Sequence, residues 1–151
     1  MTRRISAVLH NHNKGCCMST ATVSKTTNPE KRQKILVVDG EPDITSLFRK
    51  ALMREGFRVD VYNDPADSFK NFKPHFYDLI ILDIIMPDMD GFKLYNQLRK
   101  VDPDIKILFL TASEKHFDAL SKEGHRKDLF LIKPIHIQDL IKEVNLRLSV
   151  E

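Results

Sequence analysis

The feature that most constrains the fold is a run of four apolar residues, 79–82, that leads directly into Asp83. No polar residue interrupts the run, and a segment rich in turn residues, including Pro87 and Gly91, follows it. Continuous apolar runs bounded by turns are typical of strands buried on both faces, as in parallel sheets. Asp83 would then stand at the carboxyl end of a central strand, where open α/β sheets place their ligand sites. On its own, an aspartate in this position is more often only a loop cap.

Three other segments have the same design, in which an apolar run ends at a polar residue. They are KILVVDG at 34–40, KILFLTA at 106–112 and DLFLIKP at 128–134. Their terminal polar residues are Asp39, Thr111 and Lys133. The carboxyl ends of parallel strands converge at the point where the strand order reverses. We therefore expect these three residues and Asp83 to meet in one crevice.

Stretches of helical periodicity separate the strands. The predicted helices start at about Pro42, at about Pro65, just after Gly91, at about Glu114 and at about Ile137, and the third runs to about Lys100. The first is expected to bury Leu47 among its apolar residues and the second to bury Phe69, while the fourth spans about 114–123. A further short strand is predicted at 58–62. Five strands alternating with five helices predict a doubly wound parallel sheet with helices on both faces.

The charge is unevenly distributed along the chain. Residues 1–33 hold six of the 24 lysines and arginines but one of the 21 acids, so the rest carries 18 basic and 20 acidic residues, a net charge of −2. A mildly acidic domain argues against a nucleic-acid partner. Residues 1–33 lack any apolar period and are predicted to be a disordered basic tail before a domain at 34–151, with Met18 as an alternative start.

Two further observations concern the cellular environment. The only cysteines, Cys16 and Cys17, are adjacent in the sequence and cannot form a disulfide that cross-links distant parts of the fold. This fits a reducing cytoplasm. No apolar run reaches the roughly 18 residues that indicate a membrane-spanning helix. We therefore expect a cytoplasmic protein.

The polar residues predicted to meet in the crevice suit phosphoryl transfer. Asp39 and Asp83 would repel each other by about 3 kcal/mol at a separation of about 5 Å and an effective dielectric constant of about 20. A Mg²⁺ ion, which prefers oxygen ligands and keeps several waters, would relieve that repulsion. Lys133 and Thr111 could bind phosphoryl oxygens, and Asp83 could act as a nucleophile that forms an acyl phosphate.

Four motifs resemble those of the response regulator receiver domain, the phosphoacceptor half of two-component signalling. They are ILVVDGEPD at 35–43, LDIIMPDMDG at 82–91, LTA at 110–112 and LFLIKP at 129–134. The resemblance covers about residues 34–150. It implies a flavodoxin-like (β/α)5 fold with the strand order 2-1-3-4-5.

The resemblance also implies a chemistry and a set of ligands. Asp83 would accept a phosphoryl group from a phosphohistidine on a sensor histidine kinase or a phosphotransfer protein. Asp39, Asp83 and the backbone carbonyl of Ile85 would help to hold Mg²⁺. Thr111 would move toward the phosphoryl group and Phe130 would turn inward as switch residues. A cis bond is expected before Pro134, a minority state for X-Pro bonds in general.

One position departs from the family pattern. The family has two consecutive acids after the first strand, and here the second position is Gly40. The carboxylate of Glu41 could replace the missing metal ligand through an altered loop. Alternatively, Glu41 begins the first helix, where a negative charge suits the helix dipole. Gly40 thus puts the metal affinity in question but leaves the nucleophile in place.

Several other polar residues are assigned structural roles. Asp88 and Asp90 are expected to be turn and cap residues. No metal role is predicted for His75, His116, His125 or His136.

These observations lead to a main hypothesis and three alternatives. The main hypothesis is a single-domain receiver, ending at Glu151, that signals by docking a partner on the face of its fourth helix, fifth strand and fifth helix. The first alternative is an interaction module of the same fold that works without phosphate, because Gly40 replaces an acid that would bind the metal. A hydrolase is disfavoured because Ile85 stands where a general acid is expected, and a DNA-binding regulator is disfavoured by the charge.

Overall fold

The protein is described by a computed structural model that covers residues 32–115, 118 and 130–149. Its strands are β1 (Lys34–Val38), β2 (Arg58–Tyr62), β3 (Leu79–Asp83), β4 (Lys106–Thr111) and β5 (Phe130–Ile132). Its helices are α1 (Pro42–Arg54), α2 (Pro65–Asn71), α3 (Gly91–Val101) and α4 (Ile137–Ser149). The predictions of a disordered tail, of an alternative start at Met18 and of most of a helix at 114–123 lie outside the described residues.

The five strands form one parallel sheet in the order β2-β1-β3-β4-β5. The predicted doubly wound, flavodoxin-like sheet with the order 2-1-3-4-5 is therefore confirmed. Between β1 and β3, Val38 is aligned with Leu82, so the residues that follow them, Asp39 and Asp83, lie side by side. The strand order reverses at this pair, which is where the crevice of such a sheet opens.

The core has two layers, one on each face of the sheet, because successive side chains of a strand point to opposite faces. Alternate residues of β1 illustrate this: Ile35 packs in the layer under α1 and α4, and Leu36 packs in the layer under α3. The helices contribute fully or almost fully buried residues to these layers: Phe48, Leu52, Leu140 and Val144 to the first, Leu94 and Leu98 to the second.

Local signals explain where the helices begin and end. Pro42 occupies the first turn of α1, where its missing N–H costs nothing, and Gly56 follows the helix with a φ of +95°. The Asp64 carboxylate accepts hydrogen bonds from the N–H groups of Ala66 and Asp67 and caps α2. Asp90 caps α3 through the N–H of Phe92, as expected of a cap residue.

The expected burial of Leu47 and Phe69 is wrong. Leu47 is 49% exposed and Phe69 is 36% exposed, whereas Thr45 and Ser68 are buried in their helices. The reason is that both hydroxyls are satisfied locally: Thr45 donates to the carbonyl of Pro42 at 3.0 Å, and Ser68 donates to the carbonyl of residue 65 at 2.7 Å. A hydroxyl with a partner within its own helix loses little on burial.

None of the helices among the described residues has the length and apolar character needed to cross a membrane.

Candidate functional site

Two aspartates form the floor of the crevice. Asp39 follows β1 with no exposed surface, and Asp83 ends β3 with 5% of its surface exposed. One oxygen of each carboxylate faces the backbone of the following loop. Asp39 Oδ1 accepts from the N–H of Glu41 at 2.9 Å, and Asp83 Oδ1 accepts from the N–H of Ile85 at 3.3 Å. These bonds fix the carboxylates so that the other oxygen of each points into the crevice.

Lys133, which follows β5, reaches both aspartates. Its Nζ lies 2.6 Å from Oδ2 of Asp39 and 3.3 Å from Oδ2 of Asp83. Glu41 Oε1 is 3.7 Å from the same nitrogen. The bond between Lys133 and Pro134 is cis, as expected. One ammonium group is therefore shared by three carboxylates, two of them buried.

The shared cation leaves the site short of positive charge. Burial raises the pKa of the Asp83 carboxyl and the charge of Asp39 raises it further, which outweighs the lowering effect of Lys133 and of the Ile85 N–H. Burial by itself would lower the pKa of Lys133, but its hydrogen bond to Asp39 and the charges of both aspartates raise it instead. The pKa of Lys133 is thus raised and so is that of Asp83, which means that added positive charge would favour the ionised form of Asp83.

Thr111 lies on β4, the neighbour of the strand that carries Asp83, and Phe130 lies one strand further out, on β5. Thr111 ends β4 with no exposed surface, and its hydroxyl exchanges hydrogen bonds of 3.2 Å with the carbonyl and N–H of Ser113. The carbonyl of Thr111 also accepts a 2.7 Å bond from the N–H of Lys133. Phe130 is buried and stacked on Phe109, with ring centroids 5.1 Å apart. The ring of Phe130 is therefore already inside the protein, and a switch role for either residue stays a prediction.

The loop after β1 holds Gly40 and Glu41, the two residues in question for the metal site. A Cβ atom on Gly40 would lie 3.2 Å from Cδ of Pro87, so the position is closely packed against the loop after β3. Glu41 is the N-cap of α1, but its side chain makes no capping hydrogen bond and turns to Lys133 instead. Its side chain is 68% exposed, so its carboxylate lies at the mouth of the crevice rather than on the floor.

The donor set of the crevice fits a hard divalent cation. Asp39 and Asp83 each present a buried carboxylate oxygen toward the same point, which is the nitrogen of Lys133. Within the described ranges, no three side chains of His, Cys, Asp or Glu are grouped to hold a metal ion. The side-chain donors that meet there are two carboxylates, and so small a set suits Mg²⁺ because this ion retains several waters.

Two residues that support the site were not identified from the sequence. The side-chain amide of Asn63 donates to the carbonyl of Asp39 at 2.8 Å and to the hydroxyl of Thr45 at 3.0 Å. It thereby ties the end of β1 to the first turn of α1. Gly91 donates its N–H to the carbonyl of Ile84 at 2.8 Å, and a Cβ there would lie 2.2 Å from the carbonyl oxygen of Asp83. The sequence indicates only a turn at Gly91, and no local sequence pattern indicates a supporting role for Asn63.

The other polar residues of interest have structural roles where the structure describes them. Asp88 has a φ of +67°, as a turn residue can. His75 donates its backbone N–H to the buried carboxylate of Asp102 at 2.8 Å, and its ring nitrogen lies 3.5 Å from the same group. His116 and His125 lie outside the described residues.

The fold and the crevice define an α/β protein of the flavodoxin-like class with two acids and a lysine at the switch point of its sheet. The family described as the response regulator receiver domain matches residues 35–145. This match covers most of the chain, and the chain belongs to that family.

Individual relatives support the assignment. The response regulator receiver protein CpdR of Brucella abortus is 30% identical over 112 residues, which cover 74% of this chain and 93% of CpdR. The transcriptional regulatory protein SpaR of Bacillus subtilis is 38% identical over 122 residues, which cover 78% of this chain and 53% of SpaR. The chain spans about half the length of SpaR and of several other curated relatives that it matches.

A solved structure of a similar protein carries ions of interest. The response regulator TrrA of Thermotoga maritima, in complex with Mg²⁺ and BeF, is 32% identical with a TM-score of 0.65. The similarity covers 76% of this chain and 98% of the TrrA chain.

Proposed function

We propose that this chain is a phosphoacceptor receiver of a two-component phosphorelay, in which Asp83 takes a phosphoryl group from a phosphohistidine on a sensor histidine kinase or a phosphotransfer protein in the cytoplasm. The observation that carries the proposal is the convergence of Asp39 and Asp83 on the ammonium nitrogen of Lys133, within 2.6 and 3.3 Å. A buried acid pair with one lysine is short of positive charge, which a bound divalent cation would supply. Membership of the receiver family supports the same reading.

The residues of the crevice have complementary tasks in this reaction. An oxygen of Asp83 attacks phosphorus, the new O–P bond forms as the P–N bond to the donor histidine breaks, and the electron pair of that bond stays with the imidazole. Lys133 donates to a phosphoryl oxygen as a point charge. The hydroxyl of Thr111 would leave the carbonyl of Ser113 and donate to another phosphoryl oxygen.

We propose that Asp39, Asp83 and the carbonyl of Ile85 hold Mg²⁺, with Glu41 as an additional carboxylate at the mouth of the crevice. When bound, Mg²⁺ supplies positive charge that offsets the two aspartates and the phosphoryl oxygens. The raised pKa of Asp83 supports this assignment, because the site without metal disfavours the ionised nucleophile. The Mg²⁺ in the similar TrrA structure supports it independently.

The proposed activity is self-directed rather than enzymatic. The protein would assist the transfer to its own Asp83 and the later hydrolysis of the aspartyl phosphate, without a separate substrate. Ile85 supports this, because its side chain is apolar and 51% exposed at the position where a hydrolase of this type would carry a general acid.

Output would come from docking on the face of β5, α4 and the helix predicted at 114–123, and the 43% exposure of Ile132 on β5 supports an apolar contact there.

A second function, a receiver fold that docks partners without phosphate, is favoured by one observation. Gly40 removes an acid from the crevice and packs against Pro87, and Lys133 already pairs with the remaining acids. Such a module would keep its partner affinity whether or not Asp83 can be modified.

Incubation with acetyl phosphate and Mg²⁺, read by intact mass, tests the proposal. The chain should gain the mass of one phosphoryl group, and Asp83→Asn should not. Asp88→Asn is the matched control, because it removes an exposed carboxylate from the same loop and should leave labelling intact. If Asp83→Asn is labelled as strongly as the unmodified chain, the phosphoryl acceptor is another residue. If the unmodified chain is not labelled, the phosphate-independent module is favoured.

A further inference from the structure

The outer edge of β2 has no partner strand among the described residues. β2 is the first strand in the order of the five described strands, and β1 is its neighbour on the other side. The N–H of Arg58 bonds to the carbonyl of Gln33, and the carbonyl of Tyr62 accepts from the N–H of Asp39. Because a parallel ladder uses every second residue of a strand, the N–H and C=O groups of Val59 and Val61 face away from β1.

Two open clefts lie along this edge. Their volumes are about 370 and 380 Å³, and Val59, Asp60 and Phe76 line both of them. One cleft continues to Arg49 on α1 and to Lys73 after α2, so it extends to both sides of the strand. A strand added to β2 would therefore run in a groove that is already formed.

The groove is strongly basic. Its five cationic residues are Arg32, Lys34, Arg49, Arg58 and Lys73, and its one acidic residue is Asp60. The ammonium groups of Lys34 and Lys73 lie 3.8 and 5.4 Å from the ring centroid of Phe76. In the part of the chain that the structure describes, none of the five cationic groups forms an ion pair. Like charges in one groove repel each other, and an anionic partner would relieve the repulsion.

The single acid of the groove is already engaged. The hydroxyl of Tyr77 donates to Oδ2 of Asp60 at 2.8 Å. Burial, the hydrogen bond to Asp60 and the charge of Asp60 together raise the pKa of Tyr77, so its hydroxyl stays protonated and keeps donating. Asp60 therefore turns toward Tyr77, and none of the five cations is held by it.

We propose that the edge of β2 is a docking site for an extended, acidic segment of a partner protein, which adds a strand to the sheet beside Val59 and Val61. Main-chain hydrogen bonds would supply the pairing, as in other cases of strand addition. Alternate side chains of the segment would face opposite sides of the strand, so carboxylates on one side would meet Lys34 and Lys73 and those on the other would meet Arg49. The site shares no residue with the crevice of Asp83.

Charge argues against two other occupants. A second copy of this chain would bring the same basic edge against itself. Residues 1–31 carry five lysines and arginines and one glutamate, so this segment would also be repelled. An acidic segment of another protein is the occupant that matches the groove.

The experiment is a titration of the full chain with a ten-residue capped peptide of alternating glutamate and valine, followed by amide NMR. The amide signals of Val59 and Val61 should shift the most. Methylation of the peptide's backbone nitrogens should abolish binding, because it removes the pairing N–H groups and leaves the charges unchanged. A peptide of alternating lysine and valine should not bind.

Charge reversal on the protein gives a second test. Lys34→Glu together with Lys73→Glu should weaken the binding roughly tenfold or more. Lys93→Glu together with Lys142→Glu is the matched control, since both residues are exposed on α3 and α4, and it should leave the affinity within twofold. If the first pair fails to fold, the N-methylated peptide still decides the question with the unmodified protein.

Several results would overturn the proposal. Absence of binding at millimolar peptide would mean that the charges only protect an open edge from aggregation, a known use of such residues. Equal binding of the N-methylated or the lysine peptide would exclude charge-matched strand addition. Concentration-dependent dimerisation through the same amides would make a second copy the occupant.

Discussion

The ammonium nitrogen of Lys133 is closer to the carboxylate of Asp39, at 2.6 Å, than to that of Asp83, at 3.3 Å. The shorter contact of the lysine is thus with Asp39, and Asp83, the proposed nucleophile, has the longer one. Burial and then the charge of Asp39 raise the pKa of Asp83, and its contact with Lys133 does not offset them. Four predictions test this description of the site and its support.

The first prediction concerns the metal-free protein and the charge of Asp83. Because its pKa is raised in the folded state, Asp83 binds a proton more readily when folded than when unfolded, so its ionisation costs stability. This cost is absent below the ordinary aspartate pKa and grows as the pH rises from there through the folded pKa. In chelator at pH 7, Asp83→Asn should therefore raise the thermal midpoint by a few degrees, and the gain should shrink at pH 4.

Thermal unfolding followed by circular dichroism between pH 4 and pH 8 measures this effect. Asp88→Asn, at an exposed position, should leave the midpoint unchanged throughout. A lower midpoint for Asp83→Asn at pH 7 would mean that its ionised form is stabilising and that Lys133 already balances it.

The second prediction concerns Lys133, whose side chain is 15% exposed. Lys133→Met removes the shared cation and leaves two buried carboxylates without it. Breaking a buried pair in this way costs about 3 kcal/mol. The raised pKa of Lys133 means that its contribution is fully present below the unfolded lysine pKa and is lost only as the pH rises through the folded value. The loss should therefore be visible at pH 7, where the aspartates are unbalanced.

Chemical unfolding with and without millimolar Mg²⁺ gives the measurement. Mg²⁺ should restore more stability to Lys133→Met than to the unmodified chain, because it binds the native state and replaces the missing charge. Lys142→Met, on the exposed face of α4, should show neither the loss nor the recovery. An equal Mg²⁺ effect in all three proteins would separate Lys133 from the metal site.

The third prediction is that an acid at position 40 strengthens the metal site. A hard cation with few protein ligands depends strongly on each one, so Gly40→Asp should tighten Mg²⁺ binding and speed phosphorylation at limiting Mg²⁺. In chelator the same change should lower stability, because it adds a negative charge beside Asp39 and Asp83. The difference should close as Mg²⁺ is added.

Gly40→Asn separates charge from volume. Any side chain at position 40 meets Cδ of Pro87 at 3.2 Å, so the aspartate and the asparagine share this steric cost. Mg²⁺ titration followed by calorimetry should show tighter binding for the aspartate alone. Unchanged affinity and unchanged stability in chelator would show that this position does not face the metal, and Glu41 would be the next residue to examine.

The sequence predicted β1, β3, β4 and β5 well because each is a continuous apolar run with a polar end, whereas β2 alternates between polar and apolar residues. The strand order was expected from the resemblance to the receiver family. The sequence also predicted the meeting of Asp39, Asp83 and Lys133 because parallel strands bring their carboxyl ends to one crevice. It did not predict the burial of Thr45 and Ser68. The hydrogen bonds that allow this burial go to backbone carbonyls, and the spacing of apolar residues does not reveal them.

The role of Asn63 could not be predicted for a different reason. Its partners, the carbonyl of Asp39 and the hydroxyl of Thr45, are 24 and 18 residues away in the chain. Periodicity and spacing describe neighbours within one element, whereas this contact depends on the register of β1 against β2. Lys133 and Asp39 are 94 residues apart, and their contact was expected only because both follow apolar strands.

The fourth prediction compares two glycines with different constraints. Gly56 has a φ of +95° and no atom within 4 Å of an added Cβ, so Gly56→Ala should cost only the strain of that conformation, about 1 kcal/mol. Gly91 has no such φ, but its Cβ would lie 2.2 Å from the carbonyl oxygen of Asp83 and 2.9 Å from Cα of Ile84. These are backbone atoms, so no side-chain rotation can relieve the clash, and Gly91→Ala must move α3 away from β3.

Overpacking of this kind costs about 3 kcal/mol, so Gly91→Ala should destabilise the protein more than Gly56→Ala. It should also disturb the site, because the shifted backbone carries the carboxylate of Asp83 and the N–H of Ile85 that holds it. Urea unfolding gives the stabilities, and phosphorylation by acetyl phosphate, corrected for the folded fraction, gives the effect on the site. Gly56→Ala should retain the full rate per folded molecule, whereas Gly91→Ala should lose most of it. A normal rate in folded Gly91→Ala would mean that α3 can yield without moving Asp83, and that the close contact serves packing alone.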